Sequence, residues 1–152
     1  MTGALALAAA STGLAYWTTV GSGSTAASTG TVQTITLGAA TPTSGIYPGG
    51  QGDVALTVSN PNPFQVRIGS LSLNSSQGSG GFGVDAGHSG CGTGVLGFTT
   101  QTNGGAGWTV PPKVGSTNGS LAIDLSGALA MTTAAAAACQ GASFDVFLAA
   151  GA

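Results

Sequence analysis

Apolar and polar residues alternate along several short segments of the chain after residue 31. The clearest case is Val54, Leu56 and Val58, which are separated by Ala55 and Thr57. A period of two places successive side chains on opposite faces of a strand, so that one face is buried and the other is exposed to solvent. Further segments of this kind contain Ile35 and Leu37; Phe64, Val66 and Ile68; Leu71 and Leu73; Val95, Leu96 and Phe98; Trp108 and Val110; Leu121, Ile123 and Leu125; and Phe144, Val146 and Leu148.

Turn-forming residues separate these segments. The run Asn60-Pro61-Asn62-Pro63 predicts a turn, because each proline fixes its own φ and restricts the residue before it. At Gly69-Ser70 the parity of the apolar positions shifts by one, which predicts a β-bulge or a corner where the chain changes sheets. Only residues 131–138 are suited to a helical turn. The pattern predicts an all-β fold, namely an immunoglobulin-like two-sheet sandwich of about seven strands.

An Ala-rich apolar segment precedes this domain. Residues 3–17 are uncharged, and their length fits the apolar core of a signal peptide better than a membrane span of about 20 residues. We expect residues 1–15 to be a signal peptide; the alternatives are a hydrophobic helix that packs inside a filament, as in pilins, and an extra helix of a soluble domain. Residues 16–30 are expected to form a Gly/Ser/Thr linker, and residues 31–152 the sandwich domain. A membrane contact is expected only through a retained N-terminal segment.

Composition narrows the classes of function. Charged residues make up 4% of the chain, with two basic residues and a formal net charge of −2. Two cations cannot neutralise a run of phosphates, so nucleic-acid binding is not expected. Sparse charge also lowers the electrostatic barrier to self-association. Self-association is therefore the expected interaction, and a surface ligand is the alternative.

The two cysteines, Cys91 and Cys139, predict one structural disulfide and an oxidising compartment. Closing the long loop between them stabilises the fold by about 4 kcal/mol in the chain-entropy model. The functional alternative is a redox-active or metal-binding pair. It lacks both a Cys-x-x-Cys spacing and a second histidine, so the structural bridge is favoured.

The run from Gly87 to Cys91 contains His88 and Ser89 and is similar to a nucleophile elbow. An elbow needs a strand-to-helix turn and a separate base, whereas the single histidine of the chain is adjacent to Ser89. Zinc needs three or four protein ligands, so a lone His88 is a poor metal site. We expect no catalytic residue, no metal and no cofactor. A small hydrolase using Asp85 and His88 is the third hypothesis.

Four aromatic residues, Tyr47, Phe82, Trp108 and Phe147, are candidates for a contact surface such as a carbohydrate platform. Trp108 also fits the core, because large aromatic side chains dominate protein interiors. Ile35 and Leu37 lie nearest the linker. If the linker adds a strand to the sheet edge of a neighbouring molecule, these two side chains are the ones engaged.

Short motifs carry a family resemblance. Ala15-Tyr16-Trp17-Thr18-Thr19, Tyr47-Pro48-Gly49-Gly50, Asn60-Pro61-Asn62 and Cys139-Gln140-Gly141 resemble those of small secreted β-sandwich proteins of actinobacteria. The N-terminal segment is similar to the signal segments of camelysin-like and TasA-like biofilm matrix proteins. The resemblance implies a secreted β-sandwich without an assigned catalytic residue, and its N-terminal part implies a fibre.

Two functional hypotheses follow from the sequence. The first is a secreted, non-enzymatic structural or assembly protein of the cell surface or extracellular matrix, of the fibre or pilus-subunit type. The second is an extracellular binding module for carbohydrate or another surface ligand. A free strand edge would favour assembly, whereas a concave aromatic patch would favour ligand binding.

Overall fold

Strands dominate the computed structural model, which describes residues 32–152. Among these residues the helical elements are turns of three residues each, at Ala86–His88, Thr93–Val95, Asn103–Gly105 and Ala137–Cys139. The all-β class is thereby confirmed, whereas the strand count differs from the expected seven. The eleven strands are β1 (Thr36–Leu37), β2 (Thr41–Pro42), β3 (Gln51–Asn60), β4 (Val66–Ile68), β5 (Ser70–Leu73), β6 (Phe82–Val84), β7 (Leu96–Phe98), β8 (Trp108–Val110), β9 (Gly119–Met131), β10 (Phe144–Val146) and β11 (Leu148–Gly151). The predictions for residues 1–15 and 16–30 lie outside the described residues.

The longest strands, β3 and β9, form the centre of a five-stranded sheet. They are antiparallel and pair from Gln51 opposite Ala130 to Asn60 opposite Gly119. Strands β1 and β2 both pair with the outer edge of β3, and β7 pairs with the end of β9. The alternation in β3 is as expected, because Val54, Leu56 and Val58 are buried.

Three two-stranded sheets complete the fold, and each is antiparallel. Strand β4 pairs with β8, β5 with β11, and β6 with β10. The chain changes partner between β4 and β5, at Gly69, so the corner expected there is present. A Cβ atom at Gly69 would overlap the backbone of Ala152, and this close approach explains the glycine.

All four sheets contribute to one apolar core. The bond between Cys91 and Cys139 is present, as expected, and both cysteines are buried in that core. The largest fully buried apolar side chains are Ile68, Leu71, Leu125, Leu129, Val54, Val58 and Val110.

Phe64 departs from its expected place in the core. Its side chain is 46% exposed, although the alternation with Val66 and Ile68 predicted an inward position. The reason is that β4 begins at Val66, so Phe64 still belongs to the proline-containing turn. Its backbone oxygen is an acceptor in the hydrogen-bond network of that turn.

Two buried asparagines, Asn60 and Asn62, organise the turn. The Asn60 side-chain amide donates to the backbone oxygens of Phe64 at 2.8 Å and Pro111 at 2.9 Å. Its oxygen accepts from the backbone and the side chain of Asn62, at 3.0 and 2.9 Å. The amide group of Asn62 exchanges two hydrogen bonds with the backbone of Gln33, and its backbone oxygen accepts from the N–H of Lys113. The asparagine pair thus joins three separate stretches of chain, at Gln33, residues 60–64 and residues 111–113.

Replacing Asn60 by alanine is expected to lower the free energy of unfolding by about 3 kcal/mol, because the buried partners of its amide are left unpaired. Chemical denaturation followed by circular dichroism measures the change. The matched control is Asn118→Ala, since Asn118 is exposed and bonds only the hydroxyl of Ser59. The control should change stability by less than about 0.5 kcal/mol. Equal effects of the two substitutions would contradict the role given to the buried pair.

Candidate functional site

Three exposed apolar residues belong to the segments that the asparagine pair joins, at one end of the β3–β9 ribbon. Val32 is adjacent to Gln33, Val114 is adjacent to Lys113, and Phe64 bonds Asn60 directly, so all three positions are fixed by the network above. Their exposed fractions are 66% for Val32, 46% for Phe64 and 75% for Val114. We call this surface the asparagine end. The alternation pattern did not single out Val114 and placed Phe64 in the core.

The opposite end of the ribbon carries an apolar groove. Tyr47 is 66% exposed there, and its ring lies over Gly50. The loop is fixed to the end of β9, because the N–H of Gly49 donates to the oxygen of Met131 at 2.8 Å. The groove has a volume of about 380 Å³. Its lining includes Ile46, Tyr47, Pro48, Met131, Ala135 and Ala136. We call this surface the groove end.

The length of β3 sets the separation of the two surfaces. Gln51 follows the Tyr47 loop, and Asn60 begins the proline turn, so the strand runs from one end to the other. Ten residues at about 3.3 Å per residue place the two ends about 30 Å apart. Among the described residues, the large apolar side chains that are exposed all belong to one of these two ends.

Charges are unequally divided between the ends. Both cations, Lys113 and Arg67, belong to the half of the domain near the asparagine end. Lys113 donates its backbone N–H to Asn62, and Arg67 lies in β4 and donates to the backbone oxygen of Ala106 at 2.7 Å. Two of the four aspartates belong to the half near the groove end, namely Asp53 near the start of β3 and Asp85 beside Ser143. Asp124 and Asp145 lie near the middle, because Asp124 pairs with Ala55 and Asp145 precedes Val146, which pairs with Ala40.

The solvent face of the main sheet carries small side chains. Thr36, Ser59 and Ser120 lie side by side on three adjacent strands, and Thr57 lies beside Ala122. Apart from Asp124, the outward side chains of this face are uncharged. The outward positions are Thr36, Thr41, Ala55, Thr57, Ser59, Ser120, Ala122, Asp124 and Ser126.

Asp85 and His88 form a hydrogen-bonded pair next to the disulfide. The Nδ1 atom of His88 lies 2.8 Å from Oδ1 of Asp85, and the backbone N–H of Ser143 donates to Oδ2 at 2.7 Å. The pKa of Asp85 is lowered, first by this hydrogen bond from Ser143 and then by His88. Ser89 ends a three-residue turn with ordinary right-handed dihedral angles, φ −58° and ψ −17°. The strained serine of a nucleophile elbow is not found at this position.

The other residues predicted to form a contact surface or an assembly strand pack within the domain. Phe82 is buried in the core, so its expected place on a contact surface is wrong. Trp108 is half-buried and packs against the core, and Phe147 is half-buried with its ring against Gly78. Ile35 and Leu37 also pack against the core, and Leu37 pairs with Val58 in β3. Strand addition through these two residues therefore requires an exchange of β1 between molecules. It stays a prediction.

Within residues 32–152, no group of three or more His, Cys, Asp or Glu side chains is placed to hold a metal ion. No helix of that region has the length and apolar character needed to cross a membrane. Comparisons of the chain with protein-family models, with curated proteins and with solved structures found no match. The resemblance to secreted actinobacterial and TasA-like proteins therefore rests on the sequence motifs alone.

Asp85 is expected to make the free energy of unfolding depend on pH in the acidic range. A carboxyl group whose pKa is lower in the folded than in the unfolded state stabilises the fold above about pH 4 and loses this contribution as pH falls through the folded pKa. Asp85→Asn should therefore flatten the loss of unfolding free energy between about pH 5 and pH 2, as measured by denaturant titration at several pH values. Ser89→Ala, which keeps the carboxylate and its donors, should retain the wild-type slope. An unchanged slope in Asp85→Asn would contradict the account.

Proposed function

We propose that the protein is a secreted, non-enzymatic structural subunit of the cell surface or extracellular matrix that associates with copies of itself. The observation that carries the proposal is the apolar surface at each end of the domain. Val32, Phe64 and Val114 form one surface, and Tyr47 with its groove forms the other. Clusters of exposed large apolar side chains mark interaction sites, because exposure to water is unfavourable for them.

The weak charge of the surface supports association between identical chains. The formal net charge is −2, so copies repel one another weakly. The hydroxyl-rich face of the main sheet adds neutral side chains, which desolvate at a lower free-energy cost than charged ones. The disulfide is compatible with an extracellular location, where such bonds persist.

The proposed architecture is an immunoglobulin-like sandwich, in which the five-stranded sheet faces the smaller sheets. Its support is the shared core, where Val54 and Leu56 of the large sheet cluster with Ile68, Leu71 and Val146 of the small ones. A sandwich of this kind presents loops at its two ends. The two apolar surfaces lie in such end loops, so the architecture and the proposed function agree.

A binding module for carbohydrate is the second candidate, and one observation favours it. Tyr47 is exposed beside a groove, and aromatic side chains with a polar tip suit sites that are partly apolar and partly wet. In this alternative, the groove end takes a small ligand and the asparagine end has no role. The two candidates therefore differ in whether the free protein associates.

Self-association of the full chain is the expected outcome that tests the proposal. In sedimentation velocity over a hundredfold range of protein concentration, the sedimentation coefficients should increase with concentration. Electron microscopy should show filaments at the highest concentration. The physical reason is the burial of apolar surface at both ends. A single monomeric boundary at all concentrations would contradict the proposal and leave the binding module as the better account.

A further inference from the structure

We propose that the chain associates head to tail, with the asparagine end of one copy seated in the groove end of the next. The inference rests on the self-association proposed above and names the two surfaces that meet. Phe64 and Val114 are the inserted side chains, and the Tyr47 groove is the receiving surface. The partner is a second copy of the same chain.

Shape and polarity favour this pairing. At the asparagine end, Phe64 and Val114 project from turns whose backbones are fixed by buried hydrogen bonds, so little conformational entropy is lost when they are held. At the groove end, Tyr47, Pro48 and Met131 line a concave apolar surface. Aromatic side chains that enter such a groove are typical of the residues that carry most of the binding energy. The asparagine end therefore offers exposed apolar side chains on turns, and the groove end offers a concave apolar surface.

The charges favour contact between unlike ends. Lys113 adjoins Val114 at the asparagine end. At the groove end, Asp53 and Asp85 are the nearest carboxylates; Asp85 is bonded to Ser143 and to His88, whose ring lies near Gly141 of the groove lining. A head-to-tail contact brings a cation towards an anion, and a contact between two like ends brings equal charges together. Complementary charges raise the rate of the correct encounter and disfavour the wrong one.

The positions of the two ends determine what assembles. Because the two surfaces differ, each copy keeps one of them free after its first contact. A contact of this heterologous type builds an open chain of molecules unless its rotation closes a ring. The surfaces lie at opposite ends of β3 and β9, so successive copies stack along the strand direction. A filament with strands parallel to its axis is the expected product.

Two variants of the full chain test the inference. The first carries Phe64→Ser with Val114→Ser, and the second carries Tyr47→Ser with Ala136→Asp. Every one of these positions is exposed, and circular dichroism verifies that both variants fold. The matched control is Ala150→Asp, which adds a charge at an exposed position of β11, in a small sheet that belongs to neither end. Sedimentation velocity measures each protein alone and the two end variants mixed in equal amounts.

Each end variant alone should be a monomer, with association weakened by roughly 30-fold or more. The mixture should contain dimers and nothing larger, because each molecule then has one intact end. The control should assemble like the unsubstituted chain. If circular dichroism shows that a variant does not fold, the single substitutions Phe64→Ala and Tyr47→Ala replace the two double substitutions, and the same outcomes apply.

Other outcomes overturn the inference in distinguishable ways. If either end variant alone forms assemblies of the original size, the contact lies elsewhere, although self-association itself stands. If one end variant alone forms dimers, the contact joins like ends and is not head to tail. If the unsubstituted chain is monomeric at every concentration, both this inference and the proposed function are wrong.

Discussion

The hydrogen-bond network of Asn60 and Asn62 is the constraint on which one end of the molecule depends. Two prolines flank Asn62, and they leave the turn with few backbone donors of its own. The side-chain amides supply the missing hydrogen bonds, and among the described residues no buried side-chain nitrogen or oxygen is left without a partner. As a result, the segment at Gln33, the end of β3, the approach to β4 and the loop before β9 hold fixed positions. Phe64 and Val114 are presented on that rigid base.

The opposite end is stabilised by different means. The bond between Cys91 and Cys139 closes a loop with a sequence separation of 48, and Cys139 itself lines the groove. Cross-linking the unfolded chain over such a loop favours the folded state by about 4 kcal/mol in the chain-entropy model. The contribution is substantial in a chain with 28 glycines, since each glycine gives up more backbone entropy on folding than other residues do. A chain with few charges and a fixed groove can thus present apolar surface at this end without losing its fold.

The alternation of apolar residues was sufficient to predict the all-β class, the buried face of β3 and the corner at Gly69. The two cysteines were sufficient to predict the disulfide. These features follow from local rules, namely strand periodicity and cysteine count. The exposed end surfaces do not follow from such rules. Phe64 continues the apolar parity of Val66 and Ile68, but the bond from the Asn60 amide to its backbone oxygen, four residues further along, holds it in the turn before β4. The sequence motif Asn60-Pro61-Asn62-Pro63 predicted a turn, but not that both amides are buried, because their partners at Gln33 and Pro111 are distant in the chain.

The orientation of the strands within a filament decides whether the copies associate through their ends. Neighbouring strands lie about 4.7–4.9 Å apart along their hydrogen bonds, so this spacing reports the strand direction in an oriented fibre. Head-to-tail contact through the two ends predicts that the spacing falls on the equator of the X-ray fibre pattern. It also predicts a meridional repeat of at least about 30 Å, the separation of the two ends along the ten residues of β3 at about 3.3 Å each. A meridional reflection near 4.8 Å would show strands perpendicular to the axis and assembly through sheet edges, and it would contradict the account.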